Sequence, residues 1–419
     1  MDDRYNIKSI NFQGYYTKIK FFKSFLNKKK INKYKILFFF FLIITINLLH
    51  FLYPQLYNIY NFEIRKELKK IENYYKLCEK GKLINKKKFK KNKNPKISII
   101  SPVYNREAYI LRFLRSIQNQ LFDDIEILFI DDFSQDNSVK EIEKYQKEDE
   151  RIILIKHNRN KGTLISRNEG VLKSKGEYLI LPDPDDILSQ DILEKCYNIV
   201  KRYNYEMIRF NIYSGNGKIF FDYIINGLES RPVYQPELST YLFYGKGRLQ
   251  QIDFNLSNKF IKRTAYINML NFYYDKDYLN LYMINMEDGM MNYALYRKTK
   301  SFYFFKKIGY YYIKNNQSIT VNFFKNYDET LKSFFIFLKF VFENSKNTYY
   351  EKNIVNELLK QFYIGINEWI DYITKDFQFY SNIINMYMNC KFISEENKNK
   401  LNEFKIKIYK KYKNSFYSL

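Results

Sequence analysis

Histidine is almost missing from this chain. Of 419 residues only His50 and His157 are histidine, and His50 lies inside an apolar run. That leaves His157 for polar chemistry, excludes a two-histidine metal site, and makes any His-based triad depend on one position. Cysteine is nearly as scarce. Cys78, Cys196 and Cys390 are too few and too scattered for a disulfide framework or a zinc ribbon. With 7 Pro and 13 Gly, the chain is neither collagenous nor a linker, and its composition is not that of a disordered protein. What it has instead is core material: 46% hydrophobic and 19% aromatic residues. Catalysis, if present, falls to carboxylates.

The formal charge of +25 suggests nucleic acid, but its distribution argues otherwise. Residues 1–95 carry 23 Lys+Arg against 6 Asp+Glu, whereas the remaining 324 residues carry 47 against 39. The excess sits in the N-terminal quarter, not on a folded face, so no nucleic-acid partner is expected.

Ile36–Tyr53 (ILFFFFLIITINLLHFLY) is 18 residues without a formal charge, long enough to cross about 30 Å of hydrocarbon as a helix. No small-residue cleavage site follows it, and the first alanine in the chain is Ala108, which disfavours a signal peptide. Six lysines lie within residues 21–35, but only Arg65 and Lys66 within 54–68. The positive-inside rule then places the N-terminus in the cytosol. The expected layout is a type II single-pass protein: a basic cytosolic tail (1–35), an anchor (36–53), and a polar stem (54–95). The stem ends in the lysine run 86–91 and Pro95.

From Lys96 the pattern changes. Apolar runs at 97–101, 125–130, 152–156, 177–181 and 207–213 read as strands, and amphipathic stretches at 106–120, 135–149, 163–175 and 188–203 as helices. Such alternation predicts an α/β domain whose ligands bind beyond the carboxyl ends of the strands. Those ends carry polar clusters: Ser101-Pro102-Val103-Tyr104-Asn105-Arg106, Asp131-Asp132-Phe133-Ser134, and Asp183-Pro184-Asp185-Asp186. Aspartate also favours turns and helix caps, and Asp186 fits a capping role. Crowded carboxylates at successive strand ends suit a hard cation, Mg²⁺ or Mn²⁺, which shares phosphate oxygens. Further helices are expected at 327–345, 352–375 and 395–412, with Trp369 in the apolar stripe of the second. Gly245-Lys246-Gly247 is too short for a phosphate loop. Asn255 and Asn316 open N-glycosylation acceptor triplets.

The order of the motifs resembles family 2 glycosyltransferases. KISIISPVYNREAYI is similar to that family's opening strand and P-x-Y-N turn. IEILFIDDFSQD is similar to its V-D-D-x-S-x-D segment, and NKGTLISRNEGVLKSKGEYLILPDPDDIL to its N-x-G…R-N-x-G…D-x-D-D run. NLSNKFIKR, NMEDGMM and IGYYYIKNNQSIT resemble later elements of the same family. The resemblance spans about residues 96–320. It departs from the family pattern at Pro182 and Pro184, which flank Asp183.

The resemblance implies a GT-A domain at 96–320, a Rossmann-like nucleotide-diphospho-sugar transferase fold with a largely parallel sheet, followed by a helical C-terminal region at 321–419. It implies a metal-dependent inverting transferase of hexosyl or N-acetylhexosaminyl type, with a UDP-sugar donor and a glycan, glycoprotein or glycolipid acceptor. With the type II layout, this would put the catalytic domain in the lumen of the Golgi or ER, held to the membrane by the N-terminal helix. Pro102, Tyr104, Arg106, Asp131, Asp132, Arg167, Asn168 and Asp183 would contact the nucleotide-sugar. Asp185, with Asp183, would hold Mn²⁺ or Mg²⁺. Asp288 would be the general base, with Glu287 beside it. The competing reading is a catalytically inactive GT-A-fold binding protein at a membrane.

Overall fold

A strand that is apolar at nearly every position must be covered on both faces, and the central strands here are of that kind. The computed structural model describes residues 66, 69–84, 89–214, 218–220, 232–234, 255–274, 281–313, 327–344, 356, 384–385, 388 and 394–416. The chain divides into two units, Met1–Glu72 and Asn73–Leu419, and the second carries the architecture that follows.

In chain order the elements begin β1 (Ile97–Val103), α1 (Glu107–Gln118), β2 (Ile125–Asp131), α2 (Ser138–Gln146), β3 (Ile152–Lys156) and α3 (Thr163–Lys173). Next come β4 (Tyr178–Ile180), β5 (Ile187–Leu188), α4 (Ile192–Tyr203), β6 (Met207–Ser214), β7 (Lys218–Phe220) and β8 (Val233–Tyr234). The remainder is β9 (Lys259–Lys262), α5 (Arg263–Tyr274), α6 (Glu287–Lys298), β10 (Ser301–Tyr312), α7 (Tyr327–Asn344) and α8 (Glu395–Phe416). The sheet runs β3-β2-β1-β4-β9-β6-β10-β5, with β7 on β6 and β8 on β10.

The expectation of a largely parallel sheet is corrected here: the sheet is mixed. β1 pairs in parallel with β2 and β4, β2 with β3, and β6 with β10. β9 enters antiparallel between β4 and β6, and β5, β7 and β8 also pair antiparallel. Period-two apolarity marks a strand but carries no direction, so the inserted β9 had no local signature. Leu188, expected to open a helix, instead pairs with Tyr310 in β5.

Two cores cover the two faces. On one, Ile97, Ile99, Ile127 and Phe129 pack with Phe113, Leu114 and Ile117 of α1 and with Leu193 and Cys196 of α4. On the other, Ile100, Leu128 and Ile130 share a core with Leu164 and Val171 of α3 and residues of α5, α6 and α7; Leu401 of α8 belongs to it too. The observed α7 and α8 agree with the helices expected there. The expected helix 352–375 and Ile36–Tyr53 lie outside the described residues, apart from Asn356. Among the described residues no helix is long and apolar enough to cross a membrane. Part of the expected stem is packed: Tyr74 donates to the carbonyl of Ser116 (2.9 Å), Asn119 to that of Lys82 (3.0 Å), and Cys78 is buried.

At the edge away from the strand-end clusters, β1, β2 and β4 are locked by the buried Glu126 carboxylate. It accepts from Ser98 Oγ (2.6 Å) and the Gly176 N–H (3.1 Å). A Cβ at residue 176 would lie 2.5 Å from the Ser98 backbone nitrogen, where neither partner can yield. Gly176→Ala is therefore expected to cost about 3 kcal/mol, read as a lowered denaturation midpoint, whereas an unchanged midpoint would contradict this tight approach.

Candidate active site

The turns at the strand ends follow from their residue types. Asn105 adopts φ 52, a left-handed conformation that asparagine tolerates. It links two loops: its N–H donates to Ser134 Oγ (3.0 Å), and its side chain accepts from the Gln135 N–H (2.8 Å). Asn160-Lys161-Gly162 closes in the same spirit. Asn160 Oδ1 accepts from the Gly162 N–H (3.1 Å), and Gly162 sits at φ 89, as glycine readily does, before α3 begins. The loop after β4 contains a turn from Asp183 to Asp186, whose N–H donates to the Asp183 carbonyl (3.3 Å). Pro184 occupies the second turn position, which proline favours, and Pro182 precedes the turn. Tyr310 of β10 holds it: the hydroxyl accepts from the Asp183 N–H (3.1 Å) and donates to Asp186 Oδ2 (2.6 Å). Asp186 is thus not a helix cap. Its other oxygen accepts from the Ile313 N–H (2.8 Å), and burial, then the neighbouring Asp185 and Asp183 charges, push its carboxyl well up.

The candidate residues gather into three groups. In the first, Arg167 on α3 is 3% exposed and surrounded by carboxylates. It donates to Asp183 Oδ1 (2.6 Å) and to Asp288 Oδ1, and stands 3.6 Å from Glu287 Oε1. Burial opposes its charge; Asp288, Asp183 and Glu287 more than offset this and hold the guanidinium protonated. Glu287 and Asp288 open α6, where ionised acids favour the helix dipole. Asp288 does not cap its own helix: Oδ2 accepts from the Leu256 N–H (3.1 Å). Burial first, then the Asp288 charge, pushes the Glu287 carboxyl up to about 7 against the pull of Arg167. Burial raises the Asp288 carboxyl as well.

In the second group Asp185 faces Arg106, with Oδ2 3.5 Å from Nε, while the Arg106 guanidinium also donates to the Tyr104 and Asn105 carbonyls (3.2 and 3.0 Å). Tyr104 is exposed, and Pro102 is buried in β1 opposite Ile130. The third group is Asp132 with His157 and Glu169. Asp132 is buried, and its oxygens accept from the Lys161 and Gly162 N–H groups (2.7 and 2.8 Å) as well as meeting His157. Its surroundings are therefore those of a loop anchor. Asp131 and Asn168 stand apart from the ion pairs. Asp131 Oδ1, Arg167 Nε and Asn168 Nδ2 are buried and find no hydrogen-bond partner among the described residues. Tyr310, Glu169, and Tyr266, whose hydroxyl donates to Asn168 Oδ1 (3.0 Å), were missed as site residues. Tyr310 and Glu169 lie inside the quoted motifs, the only sequence signal that pointed near them.

Among the described residues no three ligating side chains converge on one point. Asp183 and Asp185, with side chains 35% and 14% exposed, still suit a cation that takes one or two carboxylates and completes its shell with phosphate oxygens and water.

Comparison with known proteins agrees with this architecture. Residues 98–269 match the family described as Glycosyl transferase family 2. Over 106 residues the chain is 40% identical to an uncharacterized glycosyltransferase of Haemophilus influenzae, a match covering 25% of this chain and 42% of that protein. It is 38% identical over 109 residues to the poly(ribitol-phosphate) beta-glucosyltransferase of Bacillus spizizenii, covering 25% and 17%. These matches span less than half the length of either relative. Among solved structures, S. aureus TarS 1-349 in complex with UDP-GlcNAc is similar with a TM-score of 0.53 at 16% identity, covering 76% of this chain and 89% of that one. Residues 98–269 are thus similar to a family 2 glycosyltransferase domain, and the fold is the GT-A fold of that structural neighbour.

The raised Glu287 carboxyl has a sign. The folded state takes up a proton that the unfolded chain releases at lower pH. The resulting stability is complete below the ordinary carboxylate range and is lost as pH rises through about 7. Glu287→Gln mimics the protonated form. Its stability relative to wild type should rise between pH 5 and pH 8 by on the order of 1–3 kcal/mol, measured by urea denaturation; a pH-independent difference would contradict a raised pKa.

Proposed function

We propose that this chain transfers a sugar from a nucleotide-diphosphate donor to an acceptor hydroxyl, with inversion at the anomeric carbon. The observation that carries this is the Arg167 cluster. It joins the acidic pair opening α6 to Asp183 at the end of the strand–turn loop, so a candidate base and a candidate donor site share one guanidinium. The three buried polar atoms without partners, on Asp131, Arg167 and Asn168, support a polar ligand at the same strand ends.

In this reading Asp288 takes the proton of the acceptor hydroxyl as that oxygen attacks the anomeric carbon. The bond from that carbon to the diphosphate breaks, and the diphosphate leaves. Leu256 N–H and Arg167 fix the Asp288 carboxylate in place, one on each oxygen. Glu287, pushed up to about 7, is the alternative base. Pro102, Tyr104, Arg106, Asp131, Asp132, Arg167, Asn168 and Asp183 are assigned to the nucleotide-sugar, and Asp185 with Asp183 to Mn²⁺ or Mg²⁺. Bound there, the cation would neutralise charge developing on the leaving diphosphate. The structural neighbour's complex with UDP-GlcNAc makes a UDP-sugar the first donor to test. The acceptor is a glycan, glycoprotein or glycolipid. Ile36–Tyr53 is assigned as a type II anchor, which puts the domain in a Golgi or ER lumen.

Three variants test the chemistry together. Asp288→Asn places an amide NH₂ against an existing donor whichever way it turns, so some stability is lost, about 1–3 kcal/mol. In the fraction that folds, kcat should fall by about 10²–10⁴ with donor KM little changed. Near-wild-type turnover here, with loss in Glu287→Gln, would move the base to Glu287; retention in both would remove the base from this acidic pair, and no turnover in the wild type with any donor would favour a non-catalytic binding protein. Asp185→Ala should abolish the Mn²⁺-dependent part of UDP binding in calorimetric titration, and undiminished binding would remove the cation from this site. Separately, the full-length protein should resist extraction from membranes by alkaline carbonate and require detergent; release by carbonate alone would refute the anchor.

A further inference from the structure

His157, the histidine that composition left open, lies 2% exposed between two carboxylates. Nδ1 is 2.8 Å from Asp132 Oδ1, and Nε2 is 2.9 Å from Glu169 Oε2. A neutral imidazole has one N–H, so its second nitrogen would set a lone pair against a carboxylate oxygen. Moving the missing proton onto a carboxylate does not resolve this. Asp132 already accepts the Lys161 and Gly162 N–H groups. Glu169 faces Lys173 Nζ (2.8 Å) and Lys161 Nζ (3.5 Å). Burial alone would raise the Glu169 carboxyl, but the hydrogen bonds it accepts, from Lys173 first, hold it low. With each acid already met by other donors, the arrangement is satisfied when both ring nitrogens donate.

We propose that His157 is a positioning residue for the nucleotide pocket: as an imidazolium it ties Asp132, at the end of β2, to Glu169 on α3, and so sets α3 with Arg167 and Asn168 against the strand ends. The pocket role rests on the function proposed above; the charge state does not. The backbone reinforces the tie. The His157 N–H donates to the Asp131 carbonyl (2.8 Å), and the Asp132 N–H to that of Val103 (2.7 Å), so β1, β2 and the loop into α3 converge on this ring. The charged groups facing it are Asp132 from the β2 end, Glu169 from α3 and Lys161 from the intervening loop, with Lys173 behind Glu169.

The test has two arms. Because the chain holds only His50 and His157, a His50→Gln variant of the full-length protein carries one imidazole. In ¹⁵N-histidine spectra at pH 7.5, both ring nitrogens should show protonated shifts, and one unprotonated nitrogen would overturn the clip. In the second arm, calorimetry with UDP and steady-state kinetics compare wild type, His157→Gln, Glu169→Gln and the double variant. Each single variant should raise UDP Kd and donor KM by about 10–100-fold with kcat within about threefold. The double variant should be no worse than the singles, as expected for one network. Glu169→Gln, at a partly exposed site, keeps the test open should His157→Gln misfold. A folded variant with lowered thermal stability but unchanged UDP affinity would mean a structural histidine only, and overturns the proposal. Failure of wild type to bind UDP would sink the donor reading and the pocket role with it, while the spectra still report the imidazolium.

Discussion

The Arg167 guanidinium is the point on which this site depends. It is almost fully buried, and it meets one carboxylate from the loop after β4 and two from the start of α6. A buried cation is costly unless matched, and three facing acids over-match it. Burial, and then the Asp288 charge, push the Glu287 carboxyl up to about 7 against the pull of Arg167. One guanidinium therefore joins three elements.

The rest of the edge is arranged so that this cluster can form. Tyr310 crosses from β10 to pin both ends of the Asp183–Asp186 turn, which fixes Asp183 opposite Arg167. Asp132 and His157 anchor the start of α3, which fixes Arg167 itself. The first support comes from an element that reaches this edge through the mixed part of the sheet, the second from the parallel strands β2 and β3. β9 separates β4 from β6, and β10 lies beyond β6, yet Tyr310 still reaches back to the β4 loop. A shift of β10 would release Asp183 from its anchor, so the packing of aromatic residues far along the sheet bears on the geometry at the strand ends.

In the reading offered here, the two acidic clusters do different work because their surroundings differ. Asp185 faces Arg106 across 3.5 Å, a loose contact that leaves room for a cation or diphosphate. Asp288 is gripped at both oxygens, which suits a base that must hold one orientation. The acids are chemically alike; their neighbours separate them.

Much of this was legible beforehand. The period-two and helical stripes from Ile97 to Tyr213 marked strands and helices closely, because each pattern is local to a few residues. The acidic clusters were placed at strand ends for the same reason, and the order of the motifs pointed to the family. Strand direction, the insertion of β9, the long aromatic β10 and the choice of partners were not legible. Arg167 meets Asp288 across 121 residues of sequence, and Tyr310 meets Asp186 across 124. His157 is a single residue whose meaning depends on two acids brought to its opposite nitrogens. Periodicity reports which face of an element is apolar; it says nothing about what lies across that face. The sequence by itself determined the elements and the kinds of chemistry at their ends. Which charge faces which was decided only when the sheet closed, because the worth of a buried ion is set by the groups that replace its water.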